Sequence, residues 1–426
     1  MSQSPSSSSS SSPQLSPPLE IDESLTLIPG LPNDVATLII SFVPYSHHGR
    51  LKSTCKSWRL FLSSKTLITL RHIHHRRKLS HLLCIFPQDP SLVSPYLFDP
   101  NNLAWSALRP MPCSPYVYGL CNFTSISVGP YLYVIGGSLF DTRSFPMDRP
   151  SPSSSAFRFD FRTSSWERLA PMLSPRGSFA CAALPNSGQI LVAGGGSRHS
   201  LFAAAGSRMN SVERYDIVKD EWVALDGLPS FRAGCVGFFV KNGEEEREFW
   251  VMGGYGEART ISGVFPVDEY YRDAVVMELK NGNGGGNWRE VGDMWDDGER
   301  TRLGKIVVIE DDEDRGRPGV YMLDGNDILR YDMASNRWCE ESHVPRKAPS
   351  DSSFGFVVLD GELHVISLLK AVRSAETRRL RHHKKPGTLY IQIYNPKRKS
   401  WRSLITKPPF QDPLDFNTAV ICTIRL

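Results

Sequence analysis

Tryptophan recurs along most of the chain at nearly regular intervals, and this spacing constrains the fold more than any other feature. Six of the nine tryptophans are separated by 50 to 66 residues. In five of these units an aromatic residue followed by Asp or Asn stands seven and six positions before the tryptophan. The six are Trp105, Trp166, Trp222, Trp288, Trp338 and Trp401. A local signature repeated at this period predicts an array of similar supersecondary units rather than one continuous core.

A second signature lies upstream of the tryptophan in several of the units. Residues 131–135 (YLYVI), 190–193 (ILVA) and 249–252 (FWVM) each run directly into a pair of glycines, whereas the fifth unit keeps one glycine and the sixth has none. An apolar strand followed by two glycines indicates a tight exit with a close backbone approach. Each unit is therefore interpreted as a four-stranded antiparallel meander. Such meanders cannot cover their own faces, so six of them are expected to stack radially as a β-propeller.

The two ends of the repeat region predict how the propeller closes. The first unit has strand-like runs from Leu82 onward but none before it, because a basic segment precedes it. After Trp401 the chain continues through residues 417–424 (NTAVICTI), a strand-like run without a unit of its own. We expect this last strand to complete the first blade, so that residues 81–426 form the propeller. A ring left open would expose bare strand edges.

The N-terminal part of the chain has a different texture. Residues 1–27 are rich in Ser and Pro and are expected to be a disordered tail. Residues 28–70 contain apolar positions at helical spacing, namely Val35, Leu38, Ile39 and Phe42, and predict a small helical domain. Residues 71–80 are expected to be a basic linker.

These signatures resemble known families. The apolar strand, double glycine, aromatic–Asp pair and tryptophan resemble the kelch repeat over about 300 residues. Residues 31–34 (LPND) and 55–59 (CKSWR) resemble the beginning and end of an F-box. The order of the two is similar to that of plant-type F-box/kelch-repeat proteins. The resemblance implies a mainly β fold, a six-bladed kelch-type β-propeller preceded by a small α-helical F-box.

The same resemblance implies a function. Such proteins are non-catalytic substrate-recognition subunits of SCF-type (cullin-RING) ubiquitin ligases, in which the F-box binds a Skp adaptor and through it a cullin, and the propeller binds the protein to be ubiquitinated. The alternative is a non-ligase kelch scaffold or regulatory interaction protein. The apolar residues of so small a helical unit cannot all be buried internally, so some should meet the adaptor. The expected adaptor-binding residues are Leu31, Pro32, Val35, Leu38, Ile39, Leu51, Cys55 and Trp58.

Arginine recurs in the turn that leads into successive units, and this position suggests a substrate site. Arg176, Arg232 and Arg302 stand there, while the first full unit carries Tyr116 and Tyr118. Arginines converging on one mouth of the propeller would form a permanently charged, fork-like site for an acidic or phosphorylated peptide. The competing interpretation is that each arginine braces neighbouring blades.

Composition disfavours several other functions. The 49 basic and 45 acidic residues leave a net charge of +4, which is too balanced to indicate nucleic acid or a membrane surface. The basic run at residues 370–385 keeps nucleic-acid binding open as a weaker alternative. No apolar run approaches the length of a membrane span, and we expect no secretory signal at residues 1–20. The expected location is the cytoplasm, the nucleus or both.

Metal and cofactor chemistry is also not expected. No two of the eight cysteines have the C-x-x-C spacing of zinc sites. The glycine clusters lack the Gly-Lys-Ser/Thr of phosphate-binding loops. Some kelch-like propellers are copper radical oxidases, but His199 and His364 do not occupy a repeated position that would supply copper ligands. We therefore expect no cofactor and no catalytic activity.

Overall fold

The computed structural model describes most of the chain from residue 26 onward. The described ranges are 26–74, 79–86, 94–112, 118–121, 123–141, 151–184, 187–196, 207–242, 246–261, 265–280, 283–300, 302–309, 318–346, 353–369, 387–410, 414, 416 and 419–426. The expectation of a disordered tail lies outside these residues except at its end, where Leu27 is buried.

The N-terminal helical unit is built from four α-helices and one 3-10 turn. They are α1 (Asn33–Ser41), the 3-10 turn (Tyr45–His47), α2 (His48–Leu51), α3 (Lys56–Leu62) and α4 (Lys65–His74). Asp34 in the first turn of α1 complements the positive end of the helix. A small core holds the unit together, and its buried members are Leu27, Ala36, Ile40, Phe61, Leu62, Leu67 and Leu70. Helix α4 continues through residues 71–74, the first four residues of the predicted linker.

The rest of the described chain forms six four-stranded antiparallel sheets, which are the blades of a propeller, together with two small additional sheets. The predicted six-bladed, mainly β fold is thus confirmed. The strands of each blade are given from innermost to outermost. The first blade contains β29 (Val420–Arg425), β1 (His81–Phe86), β2 (Tyr96–Asp99) and β3 (Ala104–Ala107), and the second contains β5 (Thr124–Val128), β6 (Tyr131–Ile135), β9 (Ala156–Asp160) and β10 (Ser165–Leu169).

The third blade contains β11 (Ala180–Leu184), β12 (Gln189–Ala193), β13 (Val212–Asp216) and β14 (Glu221–Leu225), and the fourth contains β15 (Val236–Asn242), β16 (Glu246–Met252), β19 (Asp273–Lys280) and β20 (Asn283–Asp293). The fifth blade contains β21 (Lys305–Ile309), β22 (Gly319–Asp324), β23 (Asp327–Asp332) and β24 (Arg337–His343), and the sixth contains β25 (Gly355–Leu359), β26 (Glu362–Leu369), β27 (Thr388–Asn395) and β28 (Ser400–Thr406).

The repeated aromatic–Asp–Trp signature is explained by the register of the two outer strands. In five blades the aromatic residue is directly opposite the tryptophan, as Tyr215 is to Trp222, with ring centroids 4.9 Å apart. The following Asp accepts hydrogen bonds from the turn backbone, as Asp216 does from the amide of Val218 at 2.9 Å. Four residues after the Asp or Asn, the chain turns through a left-handed residue, such as Asp220 with φ 54°. The signature therefore builds the outer hairpin of the blade.

The tryptophans also join neighbouring blades. In five blades the indole Nε1 donates a hydrogen bond to the preceding blade, at 2.9 to 3.0 Å. In the fifth blade Asn336 instead donates to the carbonyls of Val291 and Asp293, and the indole nitrogen of Trp338 has no partner among the described atoms. Hydrogen bonds thus link each outer hairpin to the blade before it.

The double glycines allow another contact between blades. The amide of Gly137 donates to the carbonyl of Arg176 at 2.8 Å, and the amide of Gly195 donates to that of Arg232 at 2.7 Å. A Cβ on Gly136 or Gly194 would lie 2.5 Å from the same carbonyl oxygens. Glycine is required at these positions because the incoming segment of the next blade passes too close for a side chain.

The ring closes through the last strand. β29 pairs antiparallel with β1 along its whole length, with Cys84 opposite Cys422, and it forms the innermost strand of the first blade. It also lies beside the innermost strands of the second and sixth blades. At the periphery, the indole of Trp105 donates to Thr406 Oγ1 of the sixth blade at 2.9 Å.

Strand polarity distinguishes the two faces of the propeller. Because neighbouring strands are antiparallel, connections between first and second strands and between third and fourth strands lie on one face. β1 is the second strand of its blade and begins on this face, so the helical unit that precedes it is located there; we call it the helical face. The second-to-third and blade-to-blade connections lie on the opposite side, which we call the loop face.

The loop face carries both additional sheets, which the sequence did not predict. One consists of β4 (Tyr118–Cys121), β7 (Ser138–Asp141) and β8 (Ser151–Pro152), and the other is the hairpin of β17 (Tyr255–Ile261) and β18 (Phe265–Tyr270).

Candidate partner-binding surfaces

The apolar side of α1 points away from the helical core. Leu31, Val35, Leu38, Ile39 and Phe42 are 38% to 53% exposed. The opposite side of the same helix is buried and carries Ala36, Thr37, Ile40 and Ser41. Burial of the exposed side against a partner would remove this apolar surface from water, which is the usual source of affinity at such a surface.

A cavity of about 380 Å³ lies beside this apolar side. Ile28, Ile39, Leu51 and Trp58 are among the residues that line it. Leu51 and Trp58 also pack against the helical core, and the Trp58 indole donates to the carbonyl of Leu27 at 2.7 Å. Two of the residues that line the cavity are therefore held by the helical core, and the cavity is open to an apolar side chain from a partner.

The structure divides the eight predicted adaptor-binding residues into three groups. The five on or before α1 are exposed, and two more, Leu51 and Trp58, line the cavity. Cys55 is exposed but acts as the N-cap of α3, where its Sγ accepts from the amide of Trp58 at 3.4 Å. Phe42 was not among the eight, although its position seven residues after Val35 places it on the same side of the helix.

The 3-10 turn of the helical unit rests on the helical face of the first two blades. The Tyr45 ring packs edge-to-face on Phe161, with centroids 5.9 Å apart, and contacts the core of these blades. Burial raises the pKa of Tyr45 to about 12, and a hydrogen bond with Ser164 only partly offsets this. Ser46 donates to Asp99 at 2.7 Å, so the carboxylate that caps the outer turn of the first blade also holds the helical unit.

Arg71 makes a second connection between the helical unit and the propeller. This side chain of α4 is almost completely buried and donates to the carbonyls of Ser41 and Val43 on one side and of Leu426 on the other. Burial lowers the pKa of Arg71 to about 10. The sequence suggested only a basic linker here, although Arg71 lies four residues after the buried Leu67 and so belongs to the buried side of the helix.

Arg176 does not present a free guanidinium group at the propeller mouth. It is 0% exposed and donates to the carbonyls of Gly194 and Ser211 at 2.9 and 2.8 Å. Its other terminal nitrogen pairs with the carboxylate of Glu213. Burial lowers the pKa of Arg176, and Glu213 opposes that effect. The side chain of Arg176 is thus held inside the third blade, while its backbone exchanges hydrogen bonds with Gly137 and Ser153 of the second. The expected exposure of this guanidinium is not found, and substrate binding by Arg176 stays a prediction.

Arg232 repeats this arrangement one blade further on. It is buried, its guanidinium is 4.2 Å from the ring centroid of Tyr271, and it pairs with Asp273 at 2.6 Å. Its backbone contacts the third blade while its side chain contacts the fourth. The interpretation that these arginines brace adjacent blades therefore agrees with the structure, and the expectation of exposed binding groups does not.

The remaining predicted substrate residues are not brought together with these two. Arg302 is exposed, and no ion pair of it is found within the described ranges. Tyr116 lies outside the described residues. Tyr118 begins β4 on the loop face, and only its backbone is described.

A pocket of about 310 Å³ opens on the loop face between the third and fourth blades. Its lining is Ser230, Phe231, Gly256, Glu269 and Tyr271. Phe231 is 48% exposed, and its carbonyl accepts a hydrogen bond from the Tyr271 hydroxyl at 3.3 Å. The pocket therefore offers aromatic surface and a carboxylate beside the buried Arg232 brace. The sequence contained no signal for it, because its walls come from one insertion, the β17–β18 hairpin, and from the turn between the third and fourth blades.

Two other kinds of feature are absent from the part of the chain that the structure describes. No three His, Cys, Asp or Glu side chains are grouped so that they could hold a metal ion. Of the helices among these residues, none is long and apolar enough to cross a membrane.

Comparison with known proteins agrees with this architecture. Residues 28–70 match the F-box domain, and residues 119–173 and 176–229 match the Kelch motif. The chain is 61% identical over 420 residues to the F-box/kelch-repeat protein OR23 of Arabidopsis thaliana, covering 96% of this chain and 94% of that protein. It is 29% identical over 217 residues to the F-box/kelch-repeat protein SKIP30 of Arabidopsis thaliana, covering 50% and 58% of the two chains. The helical unit is thus an F-box, the second and third blades match kelch repeats, and the chain belongs to the plant F-box/kelch-repeat protein family.

Proposed function

We propose that this protein recruits substrates to an SCF-type ubiquitin ligase, with the F-box bound to a Skp adaptor and through it to a cullin. The observation that carries the proposal is the exposed apolar side of α1, which has no role in the F-box core. The adjoining cavity at Leu51 and Trp58 supports it, because a partner's side chain has a preformed place to enter.

The adaptor contact is tested with purified components. Leu31→Ala combined with Pro32→Ala should weaken adaptor binding at least tenfold, since buried apolar anchors dominate such interfaces. Val218→Ala is the matched control, because Val218 is 89% exposed on an outer turn of the third blade. Both variants should keep the wild-type melting temperature. An adaptor affinity that is unchanged in the double variant, or undetectable in the wild type, would favour the non-ligase scaffold.

We further propose that the loop face binds the substrate protein. It lies opposite the F-box, so a bound substrate would not compete with the adaptor for space. It also carries the additional sheets and the pocket at Phe231, whereas the helical face is partly covered by the F-box. The burial of Arg176 and Arg232 removes most of the basis for an acidic or phosphorylated substrate, so the proposal rests on shape and aromatic surface instead.

The substrate surface is tested by comparing proteins captured by two matched variants. Both are combined with Leu31→Ala and Pro32→Ala, which should weaken adaptor binding, so that captured proteins are not degraded. Phe231→Ser changes the loop face, and Val218→Ser makes the same kind of change on the helical face. A protein whose captured amount falls at least fivefold with Phe231→Ser, and is unchanged with Val218→Ser, is identified as a substrate of the pocket. Identical captured sets for the two variants would contradict the assignment of the loop face.

A further inference from the structure

The F-box and the propeller meet through several contacts, one of which depends on the closed ring. Tyr45 packs against the core shared by the first two blades, and Ser46 binds the outer turn of the first blade. Arg71 reaches Leu426, which follows the strand that completes the first blade. Side chains from two separate parts of the F-box therefore hold it against the propeller.

Arg71 is the most demanding of these contacts. Its guanidinium is buried, and the partners found for it among the described residues are the carbonyl oxygens of Ser41 and Val43, the Ser80 hydroxyl and the backbone oxygen of Leu426, while its Nε has no partner among them. A buried cation is tolerated only where its donors are well satisfied, and removal of an acceptor is costly. Arg71 thus requires the F-box carbonyls and the propeller carbonyl to be in place together.

The propeller acceptor exists only when the last strand is paired. The carbonyl of Leu426 accepts from Arg71 at 3.0 Å and from the amide of Ser80 at 2.6 Å, while the amide of Leu426 donates to the carbonyl of Ser80 at 2.9 Å. This pair continues the register of β29 on β1. An unclosed ring would leave Arg71 without this acceptor.

We propose that Arg71 is a positioning residue that locks the F-box in one orientation on the closed propeller. Its planar, two-ended guanidinium joins the end of α1 to the closing strand, which a single ammonium group cannot do equally well. The loop face is then held at a fixed distance and direction from the adaptor surface. The proposal is independent of adaptor binding and can be tested on the chain alone.

The orientation is measured as a distance distribution between two spin labels by double electron–electron resonance. Cys55 in the F-box and Cys339 in the fifth blade are exposed natural attachment points. Cys113, Cys121 and Cys181 are replaced by Ser so that labelling stays selective. The wild type should give one narrow distribution, and Arg71→Met should broaden it at least twofold. Arg59→Met, which removes an exposed arginine from the neighbouring helix, should leave it narrow.

Two further measurements separate positioning from general stability. The melting temperature of the propeller and the adaptor affinity of unlabelled Arg71→Met should stay close to those of the wild type. Arg71→Lys keeps the charge but not the two-sided geometry, and should give an intermediate width. A narrow distribution with the wild-type mean in Arg71→Met overturns the proposal. If Arg71→Met fails to fold, a wild-type distribution in Arg71→Lys overturns it equally.

Discussion

Replacement of Arg176 by Ala tests whether the repeated arginines are braces. The side chain is buried and donates to two carbonyls, to the Ser211 hydroxyl and to the carboxylate of Glu213. Removing it leaves a buried carboxylate without its cation. Glu213 retains hydrogen bonds from the amides of Leu173 and Ser174, which offset part of the loss.

The size of the effect follows from these contacts. Breaking a buried ion pair by removing one partner costs about 3–5 kcal/mol, and the retained amide bonds place this case near the lower end. Unfolding entropy is about 2.1 cal/mol/K per residue, or roughly 0.7 kcal/mol/K for a propeller of roughly 350 residues. A loss of about 3 kcal/mol should therefore lower the melting temperature by about 4 °C.

Calorimetry of matched variants provides the assay. Arg302→Ala removes an exposed arginine from the corresponding turn and should shift the melting temperature by less than about 1 °C. Arg176→Met with Glu213→Gln removes the stranded charge and should recover about 1 kcal/mol relative to Arg176→Met alone. If Arg176→Ala and Arg302→Ala shift the melting temperature equally, the bracing argument is refuted.

Three other perturbations have defined outcomes. Deletion of residues 420–426 should lower the propeller's melting temperature by more than 10 °C or cause aggregation, whereas deletion of residues 1–20 should leave calorimetry unchanged. Trp105→Phe should cost about 1 kcal/mol in chemical denaturation, because its indole bonds the sixth blade, and more than Trp338→Phe, whose indole nitrogen has no described partner. Burial and the nearby Arg71 charge lower the pKa of His48 to about 3, so the unfolded chain binds the proton more readily between pH 6.5 and 3. As the pH is lowered from 6.5 to 3, the free energy of unfolding should therefore fall by up to about 1.4 kcal/mol per pH unit, and His48→Gln should reduce this slope.

The blade architecture could be predicted because each signature performs a local task. The pairing of Tyr215 with Trp222 and the capping by Asp216 are set within one hairpin, so they recur with the repeat and are visible in the sequence. The double glycines recur for a similar reason, since each accommodates the backbone of the next blade.

The burial of Arg176 and the role of Arg71 could not be predicted in the same way. Arg176 is buried because Glu213, 37 residues later, is placed opposite it by the sheet. Arg71 is buried because the chain returns to it 355 residues later. A residue pattern shows the type of side chain at such positions, but the partner that decides between exposure and burial comes from tertiary structure.

The pairing of β29 with β1 has a consequence for the protein's biosynthesis. The F-box and five complete blades can emerge from the ribosome while β1 still lacks its inner neighbour. Translation and domain folding proceed from the N-terminus, so the oldest blade is the last to be completed. During that interval the nascent chain exposes the free edge of β1 together with the apolar side of α1. Slow translation of the last codons of the message would therefore prolong the exposure of the β1 edge, which is open to pairing with other strands.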